Sequence, residues 1–175
     1  MFAAHLAAGL AIKSVQPKAP TWALLTGAFL PDFLWIAFAA VGLEPATATV
    51  FFDGWSHSLI SILLQATLFA SLFYRERGAT MAAVWIAVFS HFCLDAPIHP
   101  RPIELYPHSL IHAPWDLWKW GNENLMLDES HYWWIQFGLV AVLLGIYVAN
   151  RRKLAIAPNL VAASCVLTMG MHFLF

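Results

Sequence analysis

The chain has 175 residues, 61% of them hydrophobic and 11% charged, with a net charge of −1. Soluble domains carry about 25% charged residues, so the composition predicts a single all-α integral membrane domain over 1–175. The balanced charge, with no basic stripe carrying interleaved aromatics, argues against a nucleic-acid partner. Two cysteines inside apolar runs argue against a disulfide framework.

The N-terminal stretch MFAAHLAAGLAIK places its first lysine, Lys13, after the apolar residues, so a cleaved signal peptide is not expected. It is also shorter than the ~20 residues a span needs, which predicts a short re-entrant or interfacial helix. Five longer apolar runs follow at 21–43, 58–74, 79–97, 132–149 and 155–175. Each is long enough to cross ~30 Å as a helix, so about five transmembrane helices are expected.

Seven of the nine basic residues fall in alternate connections: Lys13 and Lys18, Arg75 and Arg77, then Arg151, Arg152 and Lys153. The excess of Lys and Arg makes that side cytoplasmic. The 98–131 segment then lies on the extracytoplasmic side. It carries His99, His108, His112 and His131 beside Trp115, Trp118 and Trp120. Tryptophans favour the membrane–water boundary, so this segment reads as a loop lying along the outer face.

The ionisable residues inside the apolar runs carry the functional signal. They are His5, Asp32, His57, His91 and Asp95. An Asp at mid-bilayer costs roughly 2.5–3.5 kcal/mol, so such residues face protein or water and take partners. His91 and Asp95 are spaced i, i+4 and share one helix face. Pro97 disfavours helix at Ala96, which ends that helix near Asp95 and brings His99 close by. Pro31 breaks the first run, which predicts a partly unwound Asp32 lining a wet cavity. The topology draws these residues to the outer end of the bundle. Imidazole nitrogen and carboxylate oxygen suit zinc or another first-row divalent metal. Taken singly, each has a plainer reading: His91/Asp95 as an interhelical pair, His57 as an interfacial first-turn residue, Asp32 as a proton-pathway carboxylate.

The ordered set His5, Leu30-Pro31-Asp32, Ser56-His57-Ser58, His91-x-x-x-Asp95 and Tyr106-Pro107 resembles the YdjM-like membrane-bound metal-dependent hydrolases of the bacterial inner membrane. The resemblance covers about the first 110 residues. It implies a multi-pass protein with a divalent-metal hydrolase site whose ligand pattern is similar to that of zinc-dependent phospholipase C. Leu34 and Trp35 stand where many members carry Asp and His, and Asp53 and His99 are the available substitutes.

The expected function is hydrolysis of a phosphoester in a membrane lipid or lipid-linked substrate at the outer face. His5, Asp32, His57, His91 and Asp95 are the expected ligands of zinc, with manganese as the alternative. Asp53 or His99 would be a further ligand or general base. Two other classes remain open: a proton-coupled transporter or ion pathway using Asp32 and His91/Asp95, and a non-catalytic membrane scaffold.

Overall fold

The computed structural model describes residues 2–44, 53–76, 78–96, 103–109, 129–150 and 163. The first helix, α1 (Phe2–Val15), is rich in alanine, the strongest helix former. Its C-terminal carbonyls give way to a turn that Lys13 closes, its Nζ donating to Pro17 O at 2.6 Å and Ala19 O at 2.7 Å. Pro20, in an extended conformation, starts α2 (Thr21–Ala28).

The run expected to be one span is bent by 54° between α2 and α3 (Leu30–Ala40). The break falls at Phe29, with φ −108° and ψ 2°, and Pro31 occupies the first turn of α3, where its missing N–H is harmless. Asp32 is therefore helical, in that same first turn, and not on unwound backbone as the proline alone suggested. The end of α3 is a Schellman turn. Leu43 N–H donates to Phe38 O at 2.9 Å and Gly42 N–H to Ala39 O at 3.1 Å. Gly42 supplies the required positive φ of 78°.

Next come α4 (Gly54–His57) and α5 (Leu59–Ser71), separated by one extended residue, Ser58. The first amides of α5 have no partners within the helix. Residues 103–109 supply them: Leu59 N–H donates to Glu104 O at 3.1 Å and Ile60 N–H to Leu105 O at 3.0 Å. The long α6 (Gly78–Asp95) ends where the sequence predicts, and α7 (Glu129–Asn150) closes the described bundle.

Small residues set the packing, because they let helix backbones approach closely. Ala3, Ala4, Ala7 and Ala8 of α1 pack with Leu94 and Val140, and Leu10 packs on Tyr147. This ascending order makes α1 and α7 parallel. A second core joins Ala23 and Leu24 of α2 to Ala70 of α5 and to Val84 and Ala87 of α6. There a Cβ on Gly27 would stand 3.2 Å from Val88 Cγ2.

The all-helical expectation holds for the described residues, but five transmembrane helices do not. Among the described residues one helix, α6, is long and apolar enough to cross a membrane, or two if the bent α2–α3 pair is one span. The reason is local: the bend at Phe29, the extended Ser58, and turns from Leu72 onward cut apolar runs into shorter helices. At 13 residues α5 is about 20 Å long. Nor does α1 lie on a surface; from Ala3 to Leu10 only Leu6 is not buried. The fifth run, apart from Ala163, and most of the 98–131 loop lie outside the described residues.

Candidate metal centre

Four helix ends meet at one end of the bundle and bring His5, Asp32, His57, His91 and Asp95 together. His5 comes from the first turn of α1, Asp32 from the first turn of α3, and His57 from the last residue of α4. His91 and Asp95 come from the last turns of α6. His5 and His91 are fully buried, whereas 39% of the Asp32 side chain is exposed. The cluster is thus closed on the α1 side and open beside Asp32.

Three atoms form a triangle. His57 Nε2 is 3.2 Å from His91 Nε2, and Asp32 Oδ1 is 3.5 Å from the first and 3.7 Å from the second. Asp95 adjoins it, with Oδ2 3.1 Å from His91 Nε2 and Oδ1 3.2 Å from His5 Nε2. The His5 ring stacks on His91 with centroids 3.9 Å apart and planes 9° from parallel.

Hydrogen bonds at the far side of each ring fix which nitrogen faces the triangle. His91 Nδ1 is 2.8 Å from Ala28 O. A carbonyl only accepts, so Nδ1 holds the proton and a neutral His91 presents a bare Nε2. That carbonyl is available because α2 ends there, and the close approach at Gly27 brings it within reach.

His57 Nδ1 lies 2.7 Å from Ser56 Oγ. Ser56 Oγ is in turn 2.8 Å from Glu44 Oε2 and 3.1 Å from Asp53 O, while Ser56 N–H donates to Glu44 Oε1 at 2.8 Å. With Glu44 ionised, Ser56 Oγ–H donates to its Oε2, and His57 Nδ1 is then the donor to Oγ. Its Nε2 is then bare as well.

Two imidazole lone pairs and a carboxylate thus converge with no proton assigned between them. Ligands held at about 2.0–2.2 Å in a tetrahedron stand roughly 3.3–3.6 Å apart. The triangle edges of 3.2, 3.5 and 3.7 Å bracket that spacing. These buried His and Asp groups can hold a metal ion; His5–Asp32–His91 and His57–His91–Asp95 both gather ligand atoms within 4.8 Å. Nδ1 of His5 adds a buried nitrogen with no hydrogen-bond partner among the described residues.

Comparison with family models, curated proteins and solved structures gives no match.

The other two expected residues are placed differently. Asp53 precedes α4, and its backbone carbonyl accepts from Ser56 N–H and His57 N–H at 3.2 and 2.8 Å. Its carboxylate belongs to neither of the two gathered groups. His99 lies outside the described residues, as do His112 and His172. His108 is described; its N–H donates to Glu104 Oε2 at 2.7 Å, and its ring meets Trp55 edge-on.

Sequence reasoning missed Glu44. It is fully buried, and burial pushes its carboxyl up from the usual carboxylate range, against the opposing pull of the Ser56 hydrogen bonds. The available signal was an acidic residue between two apolar stretches, just past Gly42.

Proposed function

We propose that the protein is an integral membrane, metal-dependent hydrolase acting on a phosphoester of a lipid or lipid-linked substrate at the extracytoplasmic face of a bacterial inner membrane. The observation that carries this reading is the triangle of Asp32 Oδ1, His57 Nε2 and His91 Nε2 at metal-ligand edge lengths. Two histidines and one carboxylate, with an open side, are a catalytic zinc set, and manganese is the alternative. Such an ion would polarise a phosphoryl oxygen and lower the pKa of a bound water.

The chain's own groups divide the remaining work. His57 and His91 hold their protons on Nδ1, away from the reacting side. Asp95 ties His5 to His91. Asp32, the exposed member, is the group that a substrate and its water meet first, and it is placed to take a proton as well as to bind metal. The membrane setting is supported by apolar side chains on the bundle's exterior, among them Phe33, Ile36, Leu64, Leu68 and Ile86. Phe33 and Trp55, next in sequence to Asp32 and Ser56, are exposed apolar side chains available to an acyl chain.

Protein purified in detergent, loaded with zinc or manganese and freed of excess, should retain stoichiometric metal by elemental analysis, and His91→Ala should not. The loaded protein should release a phosphorylated headgroup from lipid vesicles. Wild-type protein that retains no metal removes the basis of the hydrolase reading. One observation favours a second reading: a single proton can also bridge His57 Nε2 and His91 Nε2. A proton pathway of that kind predicts pH-dependent proton flux in metal-free proteoliposomes.

A further inference from the structure

The Schellman turn after α3 turns the chain so that Glu44 is fully buried beside α4. A carboxylate is costly in such surroundings unless its oxygens are satisfied. Both are: Oε1 accepts from Ser56 N–H and Oε2 accepts from Ser56 Oγ–H, each at 2.8 Å. Gln65 Nε2 holds the same turn from the other side, donating to Ser56 O at 2.7 Å. Ser56 is thus anchored at its amide, hydroxyl and carbonyl, and its hydroxyl reaches His57 Nδ1 at 2.7 Å.

We infer that Glu44 is a positioning residue that, through the Ser56 hydroxyl, places the His57 proton on Nδ1 and turns a bare Nε2 toward the Asp32–His57–His91 triangle. The chain of donors runs one way. His57 Nδ1–H donates to Ser56 Oγ, and Ser56 Oγ–H donates to the Glu44 carboxylate. Neither Glu44 nor Ser56 is itself a member of the triangle. Its polarity decides whether His57 offers a lone pair or an N–H there, and outer partners of this kind commonly change metal affinity by about 10- to 100-fold.

Glu44→Gln tests the polarity at nearly constant shape. The amide oxygen stays with Ser56 N–H, so the amide NH2 faces Ser56 Oγ. The hydroxyl is then left with His57 Nδ1 at 2.7 Å and Asp53 O at 3.1 Å, and donation to the nearer nitrogen moves the ring proton to Nε2. Ser56→Ala is the second variant and removes the link outright.

The assignment deepens the hydrolase reading, but its first measurement does not require metal. Nitrogen-15 NMR of histidine-labelled, metal-free full-length protein in detergent distinguishes the two neutral tautomers. Spectra are taken at a pH where the rings are uncharged. Wild-type His57 should hold its proton on Nδ1, Glu44→Gln should shift it to Nε2, and His91 should keep Nδ1–H in both. Ser56→Ala should leave His57 a mixture. A wild-type His57 protonated on Nε2 overturns the assignment, as does a His57 spectrum indifferent to both substitutions while the His91 signals show an intact fold.

Zinc titration against a competing chelator is the second measurement. It should show about 10- to 100-fold weaker binding in both variants. Wild-type protein that has the expected tautomer but binds no zinc refutes the hydrolase reading and leaves Glu44's role standing. Unchanged zinc affinity in variants whose tautomer has moved overturns the claim that the tautomer serves the triangle.

Discussion

His57 Nε2 stands 3.2 Å from His91 Nε2, and the Nδ1 of each ring is already committed to an oxygen. Two neutral imidazoles so arranged oppose lone pairs, with Asp32 and Asp95 adding negative charge. A divalent cation bound between them would therefore stabilise the folded bundle. Zinc at 100 times its Kd should contribute about 2.7 kcal/mol, read as a rise in Tm that a chelator reverses. His57→Ala and His91→Ala should unfold at the same temperature with and without zinc. A zinc-dependent rise of equal size in wild type and both variants would place the ion elsewhere.

His5 bears on the same centre through Asp95. Its Nε2 is 3.2 Å from Asp95 Oδ1, and its ring stacks on His91. His5→Phe keeps an aromatic ring of similar size and removes the contact to the carboxylate. The variant should fold, yet bind zinc about 10-fold more weakly, because Asp95 then loses its His5 contact and is positioned through His91. Competition titration of purified protein measures this. An unchanged affinity would reduce His5 to a packing residue.

The approach of α2 to α6 at Gly27 is as much a part of the centre as its ligands. A Cβ there already meets Val88 Cγ2 at 3.2 Å, Ala87 Cβ at 3.5 Å and Phe69 Cε1 at 3.5 Å. Gly27→Leu must push the helices apart, at a cost of typically 1–3 kcal/mol. The same movement withdraws Ala28 O from His91 Nδ1, now 2.8 Å away. Zinc affinity should fall together with Tm, although residue 27 is not itself a ligand. An overpacked variant that binds zinc normally would show that the Ala28 bond does not orient His91.

The cluster was legible in the sequence because polar residues stand out in an apolar chain. His5, Asp32, His57, His91 and Asp95 were each an exception to their surroundings, and topology alone drew them together. The helix lengths were not legible, because an apolar run records burial or lipid contact and not backbone continuity. Residues 58–74 read as one span, yet the helix stops at Ser71 and Ser58 stands outside it. Alanine misled in another way: α1 looked too short to cross a bilayer, and its small side chains instead let it become the interior helix on which His5 rides. Glu44 escaped notice since its partner, Ser56, lies twelve residues on and read as part of the Ser56-His57-Ser58 motif.

Glu44 also sets a pH dependence whose sign can be worked out. It lies beyond the end of α3, and burial raises its carboxyl pKa above the usual range despite the Ser56 hydrogen bonds. Between the ordinary value of about 4.3 and the raised one, the folded protein keeps a proton that the unfolded chain has released. Stability from this group is thus complete below the ordinary value and is lost as pH rises through the raised value. Glu44→Gln has nothing to titrate there. Thermal unfolding of metal-free protein across that window should show a downward slope with rising pH in wild type, relative to the variant. The two proteins differ in ionisable groups at residue 44 alone, so the difference between the two curves reports Glu44 together with its coupling to His57. Parallel curves would mean that the Ser56 hydrogen bonds fully offset the burial of the Glu44 carboxylate.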